Sequence, residues 1–312
     1  MKKSIGVLFA VLAVALVATG CKNGEMLKVG VIQLVEHPAL DAAYQGFVDG
    51  LAEAGYKDGE NITIDYQNAQ GEQANCVTIA NKLVNDKDDV ILAIATPAAQ
   101  AVAMLTDDIP VLITAVTDPE SAKLVDSNSH PGRNVTGTSD LTPVDAQINL
   151  LKKILPNAQT VGLMFCSSEQ NSIFQIQLAK EACTRVGLKY VEGSVSNSNE
   201  IQQVTQSLVG KVDAIYIPTD NMLAAGMPLV AQVANENKIP TIVGEDGMVQ
   251  SGGMITYGIN YYELGKQTAA QAVKILRDGA NPADMPIEYL EKCDLSYNAD
   301  SLAAVGMAVP KL

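Results

Sequence analysis

The sequence predicts an α/β protein of two doubly wound, Rossmann-like lobes with parallel sheets, joined by hinge crossovers. The same order of apolar runs and helical stretches occurs twice along the chain. The apolar runs lack polar alternation, as strands covered on both faces of a parallel sheet require. The 312 residues also exceed what one compact core usually holds, so two lobes of ordinary domain size are expected.

The first half opens with a strand at Lys28-Val-Gly-Val-Ile-Gln33, a helix-periodic stretch from Ala42 to Ala54 ending at Gly55, and a second strand from Asn61 to Tyr66. A polar helix from Glu72 to Val84 leads to the β-branched run Asp89 to Ala95, then to a further helix and the strand Ile109 to Ile113. The second half repeats this with Thr160 to Phe165, Ile173 to Val186 ending at Gly187, Leu188 to Val191, Glu200 to Val209, Asp213 to Ile217 and Ile239 to Val243. Gly55 and Gly187 stand where a helix C-terminus calls for a left-handed residue, which glycine adopts without steric cost. Crossovers are expected near Thr138 to Thr142, Tyr257 to Asn260 and Met285 to Ile287. These divide the chain into a first lobe of 27–139 plus 260–285 and a second of 140–259 plus 286–312. The helix from Gly265 to Arg277 is assigned to the first lobe.

Ahead of the lobes, Lys2 and Lys3 followed by the apolar run Ile5 to Val17 fit a secretory signal over residues 1–20; the run is short for a membrane span. Ala18-Thr19-Gly20-Cys21 looks like the lipobox of bacterial lipoproteins, with Ala18 where Leu is usual. Cys21 is therefore the expected lipidation site, residues 21–26 a tether, and the location extracytoplasmic on the cell membrane. Removal of Lys2 and Lys3 takes the formal net charge from −14 to −16. So acidic a surface excludes nucleic acid as a partner and confines membrane attachment to the lipid. The arginines are Arg133, Arg185 and Arg277 alone, too few and too scattered for an anion clamp. No metal or cofactor motif occurs. Cys76, Cys166, Cys183 and Cys293 show neither CxxC spacing nor histidine pairing; they read as buried thiols, with one disulfide left open.

In open α/β sheets ligands sit beyond the carboxyl ends of the strands, so the cleft between two facing lobes is the expected site. The first lobe supplies Gln33 at its first strand end, Thr96 before Pro97, Thr117 and Asp118 before Pro119, and Thr138 at a crossover. Thr96-Pro97 and Thr117-Asp118-Pro119 also read as helix starts, where free N–H groups and hydroxyls can hold a carboxylate without arginine. The second lobe supplies Ser167 and Asn171, then Thr219, Asp220 and Asn221, then Glu245. A carboxylate there suits a ligand ammonium, and Asp220 is the strongest candidate. Tyr261, next to a crossover, is a possible platform, whereas Tyr216 in mid-strand reads as core. Hydroxyls on one wall and a carboxylate on the other suit a zwitterion.

At these loops the chain resembles the ABC-transporter substrate-binding lipoprotein family that includes tryptophan- and tyrosine-binding members. The matching segments are Lys28 to Gln33, Gln45 to Leu51, Ala95 to Pro97, Val116 to Pro119, Asn134 to Thr138, Ile217 to Asn221 and Tyr257 to Asn260. The resemblance implies a type I periplasmic-binding fold, an amino-acid ligand, often aromatic, and permease and ATPase partners; the chain is expected to be a monomer. It implies too that Thr96, Thr117 and Asp220 line the cleft. A sugar or nucleoside ligand, or a sensor feeding a signalling partner, are the alternatives. An enzyme using Cys76 and Cys166 is disfavoured because Cys76 falls within a helix, and a repressor because no basic DNA-binding segment occurs.

Overall fold

The computed structural model describes residues 26–310, so the signal segment and Cys21 lie outside the described residues. The first lobe runs β1 (Leu27–Gln33), α1 (Pro38–Glu53), β2 (Ile62–Asn68), α2 (Gln73–Asn85), β3 (Val90–Ile94), α3 (Thr96–Ala103), β4 (Val111–Val116) and β5 (Val135–Ser139). The second runs α4 (Val144–Ile154), β6 (Thr160–Cys166), α5 (Gln170–Val186), β7 (Lys189–Val195), α6 (Ile201–Leu208), β8 (Ala214–Ile217), α7 (Asn221–Ala225), α8 (Met227–Glu236), β9 (Thr241–Val243), α9 (Asp246–Gln250) and β10 (Ile255–Gly258). The chain then returns as α10 (Tyr261–Asp278) and β11 (Glu288–Tyr289) before ending with β12 (Asp294–Tyr297) and α11 (Ala299–Ala304).

The internal repeat is a topological one. The first sheet has the order β2-β1-β3-β4-β5-β11 and the second β7-β6-β8-β9-β10-β12, so equivalent strands occupy equivalent places. All pairings are parallel except β10 with β12. Strands such as Val90–Ile94 and Val111–Val116 are buried along their whole length, as their unbroken apolar character requires. In each sheet the order reverses at the strand that opens the lobe, β1 or β6. Loops at the carboxyl ends of these strands therefore converge on one crevice.

Helix α10 crosses back to pack on α1, and two glycines set how closely. A Cβ on Gly46 would lie 2.0 Å from the Tyr262 carbonyl oxygen, and one on Gly265 2.0 Å from that of Ala43. Only hydrogen fits at either place, so the two helices touch backbone to backbone. Tyr262 Oη donates to Asp49 at 2.9 Å and Lys266 pairs with Glu53 at 2.8 Å along the same seam.

Two expectations are corrected here. The segment after β4 does not start a helix. The Asp118 side chain accepts from Ser121 N at 2.7 Å and closes a turn, and Lys123 adopts φ 61°, a left-handed value that stops helical winding. The return to the second lobe also comes later than residue 286. Glu288 and Tyr289 extend the first sheet beside β5, Ile287 belongs to the first core, and its N–H donates to Asn128 O at 2.8 Å. A dipeptide is too short to announce itself as an edge strand; its pairing with Thr138 and Ser139 decides the matter.

Candidate binding cleft

The lobes are shut on one another. Thr117 Oγ1 on the first lobe and Thr219 Oγ1 on the second are 3.3 Å apart; Gln175 Nε2 donates to both, and His37 Nε2 lies 3.5 Å from Asn221 Oδ1 across the cleft. Between them is a cavity of about 10 Å3, lined from the first lobe and the crossovers by His37, Leu40, Ala115, Asp140 and Tyr261. Asn171, Thr219, Asp220, Asn221, Ala224 and Glu245 line it from the second lobe. That volume holds about one water. The lobes must part to admit anything larger, and a separate groove of about 500 Å3, lined by residues such as Val35, Gln70, Ser168, Glu169 and Met222, shares Asn221 with the cavity.

Each lining carboxylate owes its position to local backbone. Asp220 is the N-cap of α7: Oδ1 accepts from Leu223 N at 2.8 Å while Oδ2 accepts from Cys166 N at 2.5 Å, bolting the end of β6 to that helix. Glu245 caps α9 through the N–H groups of Gly247 and Met248. Glu169, just behind the wall, accepts from the N–H groups of Asn221 and Met222 at 3.2 and 2.9 Å. Asp140, on the first crossover, is held instead by two hydroxyls, Tyr261 Oη at 2.7 Å and Thr117 Oγ1 at 2.9 Å.

No lysine or arginine lines the cavity. Burial therefore acts on the carboxylates without a cation to oppose it. It pushes Glu245 up to about 8 against the pull of its two backbone donors, and Asp246 and Asp140 add to the rise. Asp220 is raised well above the carboxylate range by burial and by the charge of Glu169, partly offset by the Cys166 and Leu223 N–H groups. Asp140 is raised by burial, offset by Tyr261 and Thr117. Burial lowers His37 to about 4 in spite of Asn221, so its ring is neutral at physiological pH.

The candidates divide accordingly. Thr117, Asn171, Thr219, Asp220, Asn221, Glu245 and Tyr261 stand on the cavity wall or bridge it. Five others lie elsewhere. Thr138 Oγ1 bonds Thr114 and Thr268 inside the first lobe, because its side of β5 faces α10. Ser167 is exposed and donates to Val195 O. Asp118 closes its turn. Gln33 donates its Nε2 to Val35 O and Asp41 at the start of α1, away from the cavity, and its Oε1 is buried without a partner. Thr96 is buried one residue after Ala95, whose φ of 81° turns the chain off β3, and its Oγ1 has no partner.

His37, Asp140 and Gln175 were missed as individual residues. His37 follows the end of the first strand and Asp140 lies in the Thr138 to Thr142 crossover read from sequence, so both had a positional signal; Gln175, inside a helix, had none. A bulge also shapes the wall. The β4–β5 register shifts between Ile113 and Val116, with Ala115 at φ 54°, and this re-aims Thr117 toward the cleft. Cys166 does not fit a nucleophile: burial, with Asp220 and Glu169 nearby, raises its thiol to about 11, and Cys76 is in the first-lobe core. All four described cysteines are free.

Two doubly wound lobes of one topology, closing a polar cleft at their crossovers, define a solute-binding protein of the type I periplasmic-binding class. Residues 28–311 match the family described as ABC transporter substrate binding protein, and the chain belongs to it. It is 44% identical over 279 residues, 89% of this chain and 81% of the relative, to a tyrosine-binding protein of Clostridioides difficile (strain R20291). Among solved structures it is similar to a domain from Streptococcus pneumonia in complex with L-Trp (38% identity, TM-score 0.88), covering 92% of this chain and 97% of that one. It is also similar to the ligand-free, open structure of a substrate binding protein with adhesive properties from Clostridium difficile (49% identity, TM-score 0.71), with the same coverage.

Proposed function

We propose that this substrate-binding protein captures an aromatic L-amino acid, tyrosine or tryptophan, and delivers it to the permease and ATPase of an importer while anchored to the membrane through lipid on Cys21. The observation that carries the ligand reading is a desolvated wall bearing Asp140, Asp220 and Glu245 with no lysine or arginine among them. A buried carboxylate with no cation beside it is costly, and a ligand ammonium offsets that cost. The hydroxyls and amides of Thr117, Thr219, Asn171 and Asn221 suit the ligand carboxylate, and Leu40, Ala115 and Ala224 suit its ring. The tyrosine-binding relative and the L-Trp complex support the same class.

The test is a thermal-shift screen of the twenty amino acids with sugars and nucleosides as comparators, followed by calorimetry. Tyrosine or tryptophan is expected to raise the melting temperature in proportion to the logarithm of its concentration above Kd. Stabilisation by a sugar or nucleoside alone would remove the amino-acid reading. Mass spectrometry of membrane-associated protein tests the diacylglyceryl modification of Cys21, and an unmodified N-terminus removes the anchor.

A further inference from the structure

We propose that His37 selects the ligand by its side chain. The bare Nδ1 of its ring accepts a hydrogen bond from an indole N–H or a phenol O–H, so aromatic amino acids with such a donor are taken and those without one refused. The assignment rests on the amino-acid reading above and deepens it to the residue that discriminates among aromatic side chains.

The state of the ring follows from the groups behind it. Both oxygens of Glu169 accept backbone N–H groups, Oε2 that of Asn221 at 3.2 Å and Oε1 that of Met222 at 2.9 Å. A carboxylate in that role only accepts, so the Asn221 amide turns its Nδ2 toward it, at 2.5 Å. Oδ1 of the same amide is thereby directed at His37 Nε2, 3.5 Å away. An amide oxygen cannot donate, so Nε2 carries the proton. Burial keeps the ring neutral at physiological pH. A neutral imidazole has one N–H only, which leaves Nδ1 as an acceptor. His37 lines the cavity, and its Nδ1 is buried without a hydrogen-bond partner. Leaving a buried acceptor unmet is unfavourable, and a donor brought by the ligand removes the penalty.

Placement gives that donor its identity. His37 and Leu40 are three residues apart at the start of α1, and Asn221 and Ala224 three apart on α7, so each pair shares one face of its helix. All four line the cavity. Leu40 and Ala224 offer apolar flanks to a ring, and His37 and Asn221 a polar end to it. The lining carboxylates suit the ligand ammonium and leave His37 to the side chain. Asn171 Oδ1 is a second lining acceptor without a partner. Its amide donates through Nδ2 to Thr219 O at 3.0 Å, among the groups that suit the ligand carboxylate. Nor is the imidazole needed by its own helix: His37 is the N-cap of α1, but its side chain caps nothing.

The experiment measures affinity by calorimetry for two near-isosteric pairs. L-tryptophan is compared with 3-benzothienyl-L-alanine, in which sulfur replaces the indole N–H, and L-tyrosine with 4-fluoro-L-phenylalanine, in which fluorine replaces the hydroxyl. Wild-type protein is expected to prefer the donor-bearing member of a pair by about 100-fold or more. His37→Phe, which keeps a ring but no acceptor, reduces that preference to about threefold or less, chiefly by weakening the donor-bearing ligand.

Undiminished preference in H37F, or an equal loss for both members of a pair, overturns the assignment; an equal loss means that His37 meets the ammonium or only shapes the wall. Wild-type protein that binds tryptophan or tyrosine without preferring it to its isostere also overturns it. Wild-type protein that binds neither amino acid removes the amino-acid reading and the assignment with it, and is distinct from these results. If H37F does not fold, the ring 15N resonances carry the test. The chain has two histidines, so His130→Gln leaves the signals of His37 alone. Nδ1 is expected without a proton in the unliganded protein, and its resonance to move on binding tryptophan but not 3-benzothienyl-L-alanine. A proton found on Nδ1, or the same response to both ligands, overturns the assignment.

Discussion

The two walls of the cleft are built differently. On the second lobe Asp220, Glu245 and Glu169 are pinned by backbone N–H groups at strand ends and helix starts, and would keep their positions whether or not a ligand is present. On the first lobe and the crossovers, Asp140, Tyr261 and Thr117 hold one another through side chains. Backbone at positive φ, Ala95 at 81° and Ala115 at 54°, sets the approach. Such conformations cost about 1–3 kcal/mol and persist where surrounding structure enforces them. One wall is held mainly through backbone donors, the other mainly through side chains.

The largest expected effect is of pH on the unliganded protein. Glu245 titrates near 4.5 when unfolded and about 8 when folded, so between these values the folded state binds more protons than the unfolded and stability falls as pH rises. The loss is a few kcal/mol, by linkage at about 1.4 kcal/mol per unit. Chemical denaturation across that range measures it. Because the same carboxylates must ionise to hold an ammonium, affinity for an amino acid should rise over the window, and a flat profile for both would leave the backbone-held wall uncharged.

Next is Gly265→Ala, which forces a methyl against the Ala43 carbonyl and pries α10, with Tyr261, off α1, with His37. A cost of about 3 kcal/mol in urea denaturation is expected. Tolerance at wild-type stability would show that the two helices do not carry their wall as a unit. Asp220→Ala should cost about 2 kcal/mol by leaving two buried backbone donors without an acceptor. A cost no greater than that of Tyr261→Phe would erase the contrast between pinned and side-chain-held groups. The smallest effect is a gain: Ala115→Gly relieves the left-handed backbone and should stabilise by about 1 kcal/mol. Any loss of affinity in that variant separates the wall's shape from its stability.

Much of the scaffold was legible because it is written in local periodicity. The unbroken apolar runs, the helix-ending Gly187 in a left-handed C-cap and the repeated order of elements all survive folding unchanged. Tyr216, read as core, is fully buried, with its hydroxyl donating to Gln147 Oε1 at 2.8 Å. Position at a strand end was a good guide on the second lobe, where strand and cap are consecutive in sequence, as in Thr219-Asp220-Asn221. It was a poorer guide on the first. Thr138 turns to Thr114 and Thr268 inside the first lobe, and the bulge at Ala115 that sends Thr117 toward the cleft leaves no mark in composition.

The sequence by itself determined the class of the fold, the repeat, the approximate crossovers and the acidic, arginine-poor character of the chain, because each depends on residue type and short-range order. Only the tertiary structure decided which polar groups meet. Asp140 and Tyr261 are 121 positions apart and Thr117 and Thr219 are 102 apart. Their contacts arise from two sheets closing over two crossovers, and contacts made at such separation have no local signature. Burial, too, is a property of the closed assembly: the same aspartate in an open loop would be an ordinary solvated carboxylate, and between the lobes it is a charge in need of a partner.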